Sequence, residues 1–206
     1  NTAVGASAMQ SVTTASNLTA IGYQALDACT TGANNLALGS GALTTCTTGS
    51  GNIAIGINTG ASLTTGTNNY MAGLAAAGSV TTGHSNVIIG YAAGDAITTG
   101  NGHVMMGYNA GTAMTTNTQC TLIGYEAGDQ ITTGANNTCI GGHAGGALTT
   151  GAQSVAIGTS ALLAATDPVN SVCVGHDAGK AITTGDSNTY IGQGTGIATT
   201  TGNSNV

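Results

Sequence analysis

The residues able to do chemistry in this chain are few and scattered. Four histidines (His84, His103, His143 and His176), seven carboxylates, five cysteines and one lysine, Lys180, hold most of its titratable or ligating groups. A metal site or an acid–base pair needs such groups to converge, so their spacing decides what they can do. One number governs that spacing. Gly5, Gly22, Gly39, Gly56, Gly73, Gly90, Gly107, Gly124, Gly141, Gly158, Gly175 and Gly192 follow one another at intervals of 17 residues, without insertion or deletion. A fixed period of this size marks a stacked-repeat protein.

Residues 1–206 therefore read as a single repeat array, with units beginning at residues 1, 18, 35, 52, 69, 86, 103, 120, 137, 154, 171 and 188. With each unit numbered in columns 1 to 17, the four histidines fall in columns 16, 1, 7 and 6 of different units. If each unit is one rung of about 4.8 Å, His143 and His176 stand about 9.6 Å apart along the stack, too far to share a zinc ion. A metal held between copies on a three-fold axis is the one arrangement this spacing leaves open. Glu126 and Asp129 form the nearest carboxylate pair and read as decoration of a solvated bend. The glycines make no phosphate loop, because neither a helix nor a lysine follows them. No catalytic, cofactor-binding or metal-ligating residue is assigned, and the chain is read as a non-enzyme without cofactors.

Cys29 and Cys46 share column 12 on neighbouring units, which predicts two thiols pointing side by side into the coil. Cys139 and Cys173 are two rungs apart and should not pair. With Cys120, the odd and scattered count is unlike a secreted disulfide framework and suits synthesis in a reducing cytosol.

The elements that carry these groups are written in the columns. Column 4 is apolar throughout (Val4, Ile21, Ile55, Ile89, Ile123, Ile157) and column 2 is β-branched or apolar (Thr19, Leu36, Ile53, Val87, Val155). A period of two in β-branched residues predicts a strand, which the column-5 glycine ends. Column 12 is apolar from Val12 to Ile182 and lies beyond a glycine-containing bend, so two short strands per unit are expected. Thr-Thr-Gly in columns 13 to 15 reads as a tight turn. Pro168 in column 15 says that this position asks for no left-handed backbone. The column-1 asparagines (Asn35, Asn52, Asn69, Asn86, Asn137, Asn188) predict a rung-to-rung hydrogen-bonded ladder. The fold class expected is all-β: a parallel β-solenoid of twelve 17-residue repeats, a rod of roughly 58 Å at about 4.8 Å per rung.

Columns 2 and 4 are expected to pack inside, which would turn column 3 to the outside. Column 3 includes Met71, Ile88, Met105 and Leu122 and no charge. A strand apolar on both faces is covered on both faces, so an oligomer whose interface runs along the rod is expected.

Composition narrows the function classes. Charged residues make up 4% of the chain, the net charge is −6, there is no arginine, and 41% of residues are apolar. That leaves no basic surface for nucleic acid. No apolar run reaches the roughly 20 residues of a membrane-spanning helix, so no membrane insertion is expected. The array starts in phase at Asn1 and stops inside a thirteenth unit at Val206, which reads as a window cut from a longer filament.

The strand-plus-glycine motif, SVAIG at Ser154–Gly158, NIAIG at Asn52–Gly56 and TAIG at Thr19–Gly22, resembles the head repeats of trimeric autotransporter adhesins. It is similar also to the AIGYxAG…TTGxxN arrays of phage tail fibres. The resemblance covers essentially the whole chain and implies a left-handed β-roll assembled as a homotrimer. Autotransporter heads commonly repeat at 14 residues rather than 17, which tilts the comparison towards a viral fibre. The expected function is the structural shaft of a virion or extracellular fibre, a rigid spacer presenting a receptor-binding tip. Its partners would be itself and other fibre or virion components at the ends. The alternatives are a bacterial surface adhesin binding a host receptor or glycan along its flank, and an ice-binding solenoid. Adjacent threonines point to opposite sides of a strand, which speaks against a flat ice-binding array.

Overall fold

Columns 2 to 4 form the one strand of each unit. The computed structural model describes residues 1–206 and contains twelve three-residue strands, the first Thr2–Val4 and the last Thr189–Ile191. They lie in sequence order in a single parallel sheet. Each is in register with the next, so that Val87, Ile88 and Ile89 pair with Val104, Met105 and Met106. The protein is an all-β parallel solenoid without helices.

Hydrogen bonds run from rung to rung all the way around the coil. Val87 donates to the His103 carbonyl (2.8 Å), Gly90 back to Ala72 (2.8 Å), Gly94 to Ala110 (2.9 Å) and Thr98 to Thr115 (2.9 Å). Of 134 backbone hydrogen bonds, 22 lie within the strands, so the bends are laddered as thoroughly as the sheet. The second strand expected around column 12 does not form. Columns 7 and 9 take left-handed backbone, as at Ala92 (φ 48°) and Gly94 (φ 56°), and keep the chain turning through that stretch. Column 12 is nevertheless buried, from Cys29 and Leu63 to Ile131 and Ile182.

The strand faces are the reverse of the expectation. The column-3 side chains Met71, Ile88, Met105 and Leu122 are fully buried, as are Cys139 and Cys173. Columns 2 and 4 point outward, with Ile21, Leu38 and Met106 each about 40% exposed. The corner that follows sets this direction. Every column-5 glycine has φ between +123° and +143°, a region that side chains avoid. A Cβ there would also strike the backbone of the next rung, as at Gly90 against the Gly107 carbonyl. Column 15 is glycine for a different reason. Its φ is not positive, but a Cβ at Gly83 would come within 2.6 Å of the Gly100 carbonyl. Pro168 fits this backbone angle, and where Ala15, Asn117 and Pro168 replace the glycine the neighbouring backbone accommodates a Cβ.

The interior is filled by columns 3, 8, 9 and 12, and columns 3 and 9 trade size. Where column 3 is alanine (Ala20, Ala37, Ala156), column 9 of the same rung is leucine (Leu26, Leu43, Leu162), all buried. Where column 3 is large (Ile88, Met105, Leu122), column 9 is glycine (Gly94, Gly111, Gly128). A Cβ at Gly128 would lie 2.8 Å from Leu122 and from Ile131, so the space is already used. Gly60 hands its room to the next rung, where a Cβ would lie 2.8 Å from Met71. Holding core volume constant in this way keeps packing dense along the rod.

Candidate functional site

The interior polar groups, Asn117 Oδ1 apart, are committed to structure. In column 1, the backbone N–H and Nδ2 of Asn69 both donate to Asn52 Oδ1 (3.1 and 3.0 Å), and Nδ2 also donates to the Gly83 carbonyl (2.9 Å). The pattern repeats at Asn52 and Asn86, which gives the ladder the sequence predicts. His103 sits in the same column and makes the same bonds with a ring. Its N–H donates to Asn86 Oδ1 (2.9 Å), its Nε2 lies 2.9 Å from the Asn117 carbonyl, and its Nδ1 accepts from the Cys120 N–H (3.2 Å). These partners select the neutral Nε2–H tautomer. Burial lowers the His103 pKa, against a smaller opposite effect of the Asn117 hydrogen bond. With both ring nitrogens used and no exposure, His103 is not available to a metal on an axis between copies.

The Thr-Thr-Gly turn has an equally local explanation. Thr30, Thr31 and Gly32 direct their N–H groups to the Thr47 carbonyl (2.9, 3.3 and 3.4 Å), and the Thr30 hydroxyl adds a fourth donor (3.1 Å). Column-13 threonines thus spend their hydroxyls on the next rung, whereas column 14 stands exposed at the corner.

All five cysteines are free and buried. Burial pushes the Cys46 thiol up to about 12, with a further contribution from Cys29, and the Cys139 thiol likewise to about 12. Such thiols hold little thiolate and make poor nucleophiles. The remaining histidines are dispersed on the surface. His143 Nδ1 lies 3.3 Å from Glu126 Oε2, and His176 Nδ1 lies 3.5 Å from Asp177, which also meets Lys180 (3.1 Å). Asp129 is engaged by Gln130 rather than by Glu126. No three His, Cys, Asp or Glu side chains gather closely enough to hold a metal ion, and the surface has no pocket.

What the molecule does offer is a face. Columns 2 and 4 present Leu36, Ile53, Val87, Val104 and Val155 beside Ile21, Ile55, Ile89, Ile123 and Ile157, with no charged residue in either column on any rung. Carboxylates and the lysine are confined to columns 7, 10, 14 and 16. Column 6 flanks this face with a second exposed file, Ile57, Leu74, Tyr91, Tyr108 and Tyr125 on five consecutive rungs. The three tyrosine rings stack, with centroids 5.1 and 5.2 Å apart and planes within 8° and 6°. His143 closes the stack edge-on at 5.2 Å from Tyr125. The 17-residue spacing of Tyr91, Tyr108 and Tyr125 was the signal for this ladder, hidden by the smaller residues elsewhere in column 6. No protein-family model, curated protein or solved structure matches the chain.

Proposed function

We propose that the chain is a structural shaft, a rigid spacer within a virion or extracellular fibre of the tail-fibre type, assembled from parallel copies of itself as a homotrimer. One observation carries this reading: a long, flat sheet face without a single charge, on a rod that places every charge elsewhere. Twelve rungs of about 4.8 Å and three-residue strands of about 10 Å give a face of roughly 600 Å². That is close to the lower end of the area each partner contributes to a stable interface, about 600–1,000 Å². The face repeats at the rung spacing, so a second copy of the same rod matches it along its length. A mixed or globular partner would meet the same two columns over and over.

The stacked tyrosines do not favour the adhesive alternative. Sugars bind to aromatic faces, and here each inner ring face is covered by the next ring.

Light scattering tests the assembly. The expected mass is three times the 19.6 kDa of one chain. A monodisperse monomer would overturn the proposal.

A further inference from the structure

The tyrosine ladder is a chemical feature that a passive shaft does not use. Tyr91, Tyr108 and Tyr125 are each about half exposed, so an oxidant reaches them from solvent. Their rings are nearly parallel and one rung apart, and the backbone register that sets this spacing is fixed on both sides by the sheet. Tyr23, in the same column, has Ala6 and Ser40 as its column neighbours and therefore no ring to meet.

We propose that this ladder is an oxidative cross-linking site, at which a one-electron oxidant joins neighbouring tyrosines of one chain as dityrosine. Each of two phenols loses one electron and one proton. The resulting radicals bond through ring carbons ortho to oxygen, and the two hydrogens on those carbons move to the oxygens, restoring both hydroxyls. A peroxidase with hydrogen peroxide suffices, since one peroxide takes up the two electrons and two protons and leaves as two waters. The reaction needs two radicals close together before either escapes, and in-register stacking, with centroids 5.1 and 5.2 Å apart, supplies that proximity at any protein concentration.

The end of the ladder has a charged neighbour. The neighbouring Glu126 carboxylate raises the pKa of the Tyr125 phenol, through its side-chain interaction first and its charge second. His143 Nδ1, 3.3 Å from Glu126 Oε2, stands behind it. Coupling ties residues 17 apart, so a bridge restricts the unfolded chain in the manner of a disulfide loop and raises the melting temperature.

This inference does not depend on the fibre reading, because the coupling is within one chain. The assembled protein is treated with peroxidase and hydrogen peroxide, followed by dityrosine fluorescence and peptide mass spectrometry, with scattering recorded in parallel. Expected are bridges between Tyr91 and Tyr108 and between Tyr108 and Tyr125, with a yield independent of protein concentration. Tyr108→Phe leaves Tyr91 and Tyr125 about 9.6 Å apart and should lower the intrachain yield at least about tenfold. Tyr23→Phe should leave it unchanged, and oxidation should raise the melting temperature of this variant but not of Tyr108→Phe. Absence of coupled peptides, an equal yield in Tyr108→Phe, or bridges found between copies alone would each overturn the proposal. A monomeric mass with intact intrachain coupling would count against the fibre and leave the ladder standing.

Discussion

The two faces of the same sheet are built from the same kinds of residue and obey different rules. On the inner face, size is conserved along the stack: Ala37 is matched by Leu43, Ile88 by Gly94, and the room left by Ala54 and Gly60 is taken by Met71 of the next rung. Column 3 varies from alanine to methionine only because column 9 answers it. On the outer face little answers. Thr121, Val87 and Ile53 of column 2 each stand beside an isoleucine of column 4, and Tyr70, beside Ala72, is the exception. A face whose residues constrain one another is a core. One that stays free of charge while its residues drift among threonine, valine, isoleucine and tyrosine holds to the exclusion of charge alone, as expected of a surface covered by something of the same periodicity.

The strongest test of this contrast is a charge on either face. Leu122→Asp buries an unpaired carboxylate in the core and should cost more than about 4 kcal/mol, enough to unfold the middle rungs in thermal melts. The next residue separates the faces. Ile123→Asp should leave the fold standing and abolish lateral assembly in scattering. Cooperative unfolding by Ile123→Asp would mean that the faces are wrongly assigned.

Overpacking comes next. Gly94→Leu places a leucine against Ile88, Ile97 and Met105 and should cost about 3 kcal/mol, part of it for left-handed backbone. Adding Ile88→Ala recreates the pair found at Ala37 and Leu43, where leucine already holds a φ of 52°. The double variant should recover more than half of the loss. Additive losses in chemical denaturation would show that columns 3 and 9 do not share volume.

A smaller effect is expected at the buried histidine. Its folded pKa lies below the unfolded value, so the unfolded chain binds the proton more readily. The stability it contributes is complete above about pH 6.5, the ordinary histidine value, and declines as pH falls below it. Protonation also removes the Nδ1 acceptor from the Cys120 N–H. Between pH 7 and 5 the melting temperature should fall by a few degrees, and His103→Asn, restoring the column-1 residue, should flatten that slope. An unchanged slope would remove His103 from the account. The smallest effect on stability belongs to Ile123→Asp itself, under about 1 kcal/mol once the monomer is compared with the monomer.

Much of the fold is legible in single columns. The invariant glycines announce the period. The β-branched flanks of column 3 announce the strand, and the asparagines of column 1 announce their ladder. Column 15 is informative because Pro168 occurs there, and its backbone is indeed not left-handed. Column 12 misleads, because burial without extension looks the same in sequence as a strand. The tyrosine ladder and the size trade both require two columns or several rungs to be read together, and the trade has meaning only once columns 3 and 9 are known to face each other.

The sequence by itself determines the period, the place of the strand, the stack of rungs and the absence of charge from the sheet. It does not determine which way the strand faces. Alternation assigns neighbouring residues to opposite sides, and a choice shifted by one residue exchanges them all. In most sheets polarity makes the choice, but here columns 2, 3 and 4 carry no charge and only the threonines of column 2 hint at it. The tertiary structure decides it through the column-5 corner, where a glycine at φ near +135° turns the chain towards the side of column 3. That corner puts Leu122 in the core and Ile123 on the outside, and leaves the rod with an apolar face of its own.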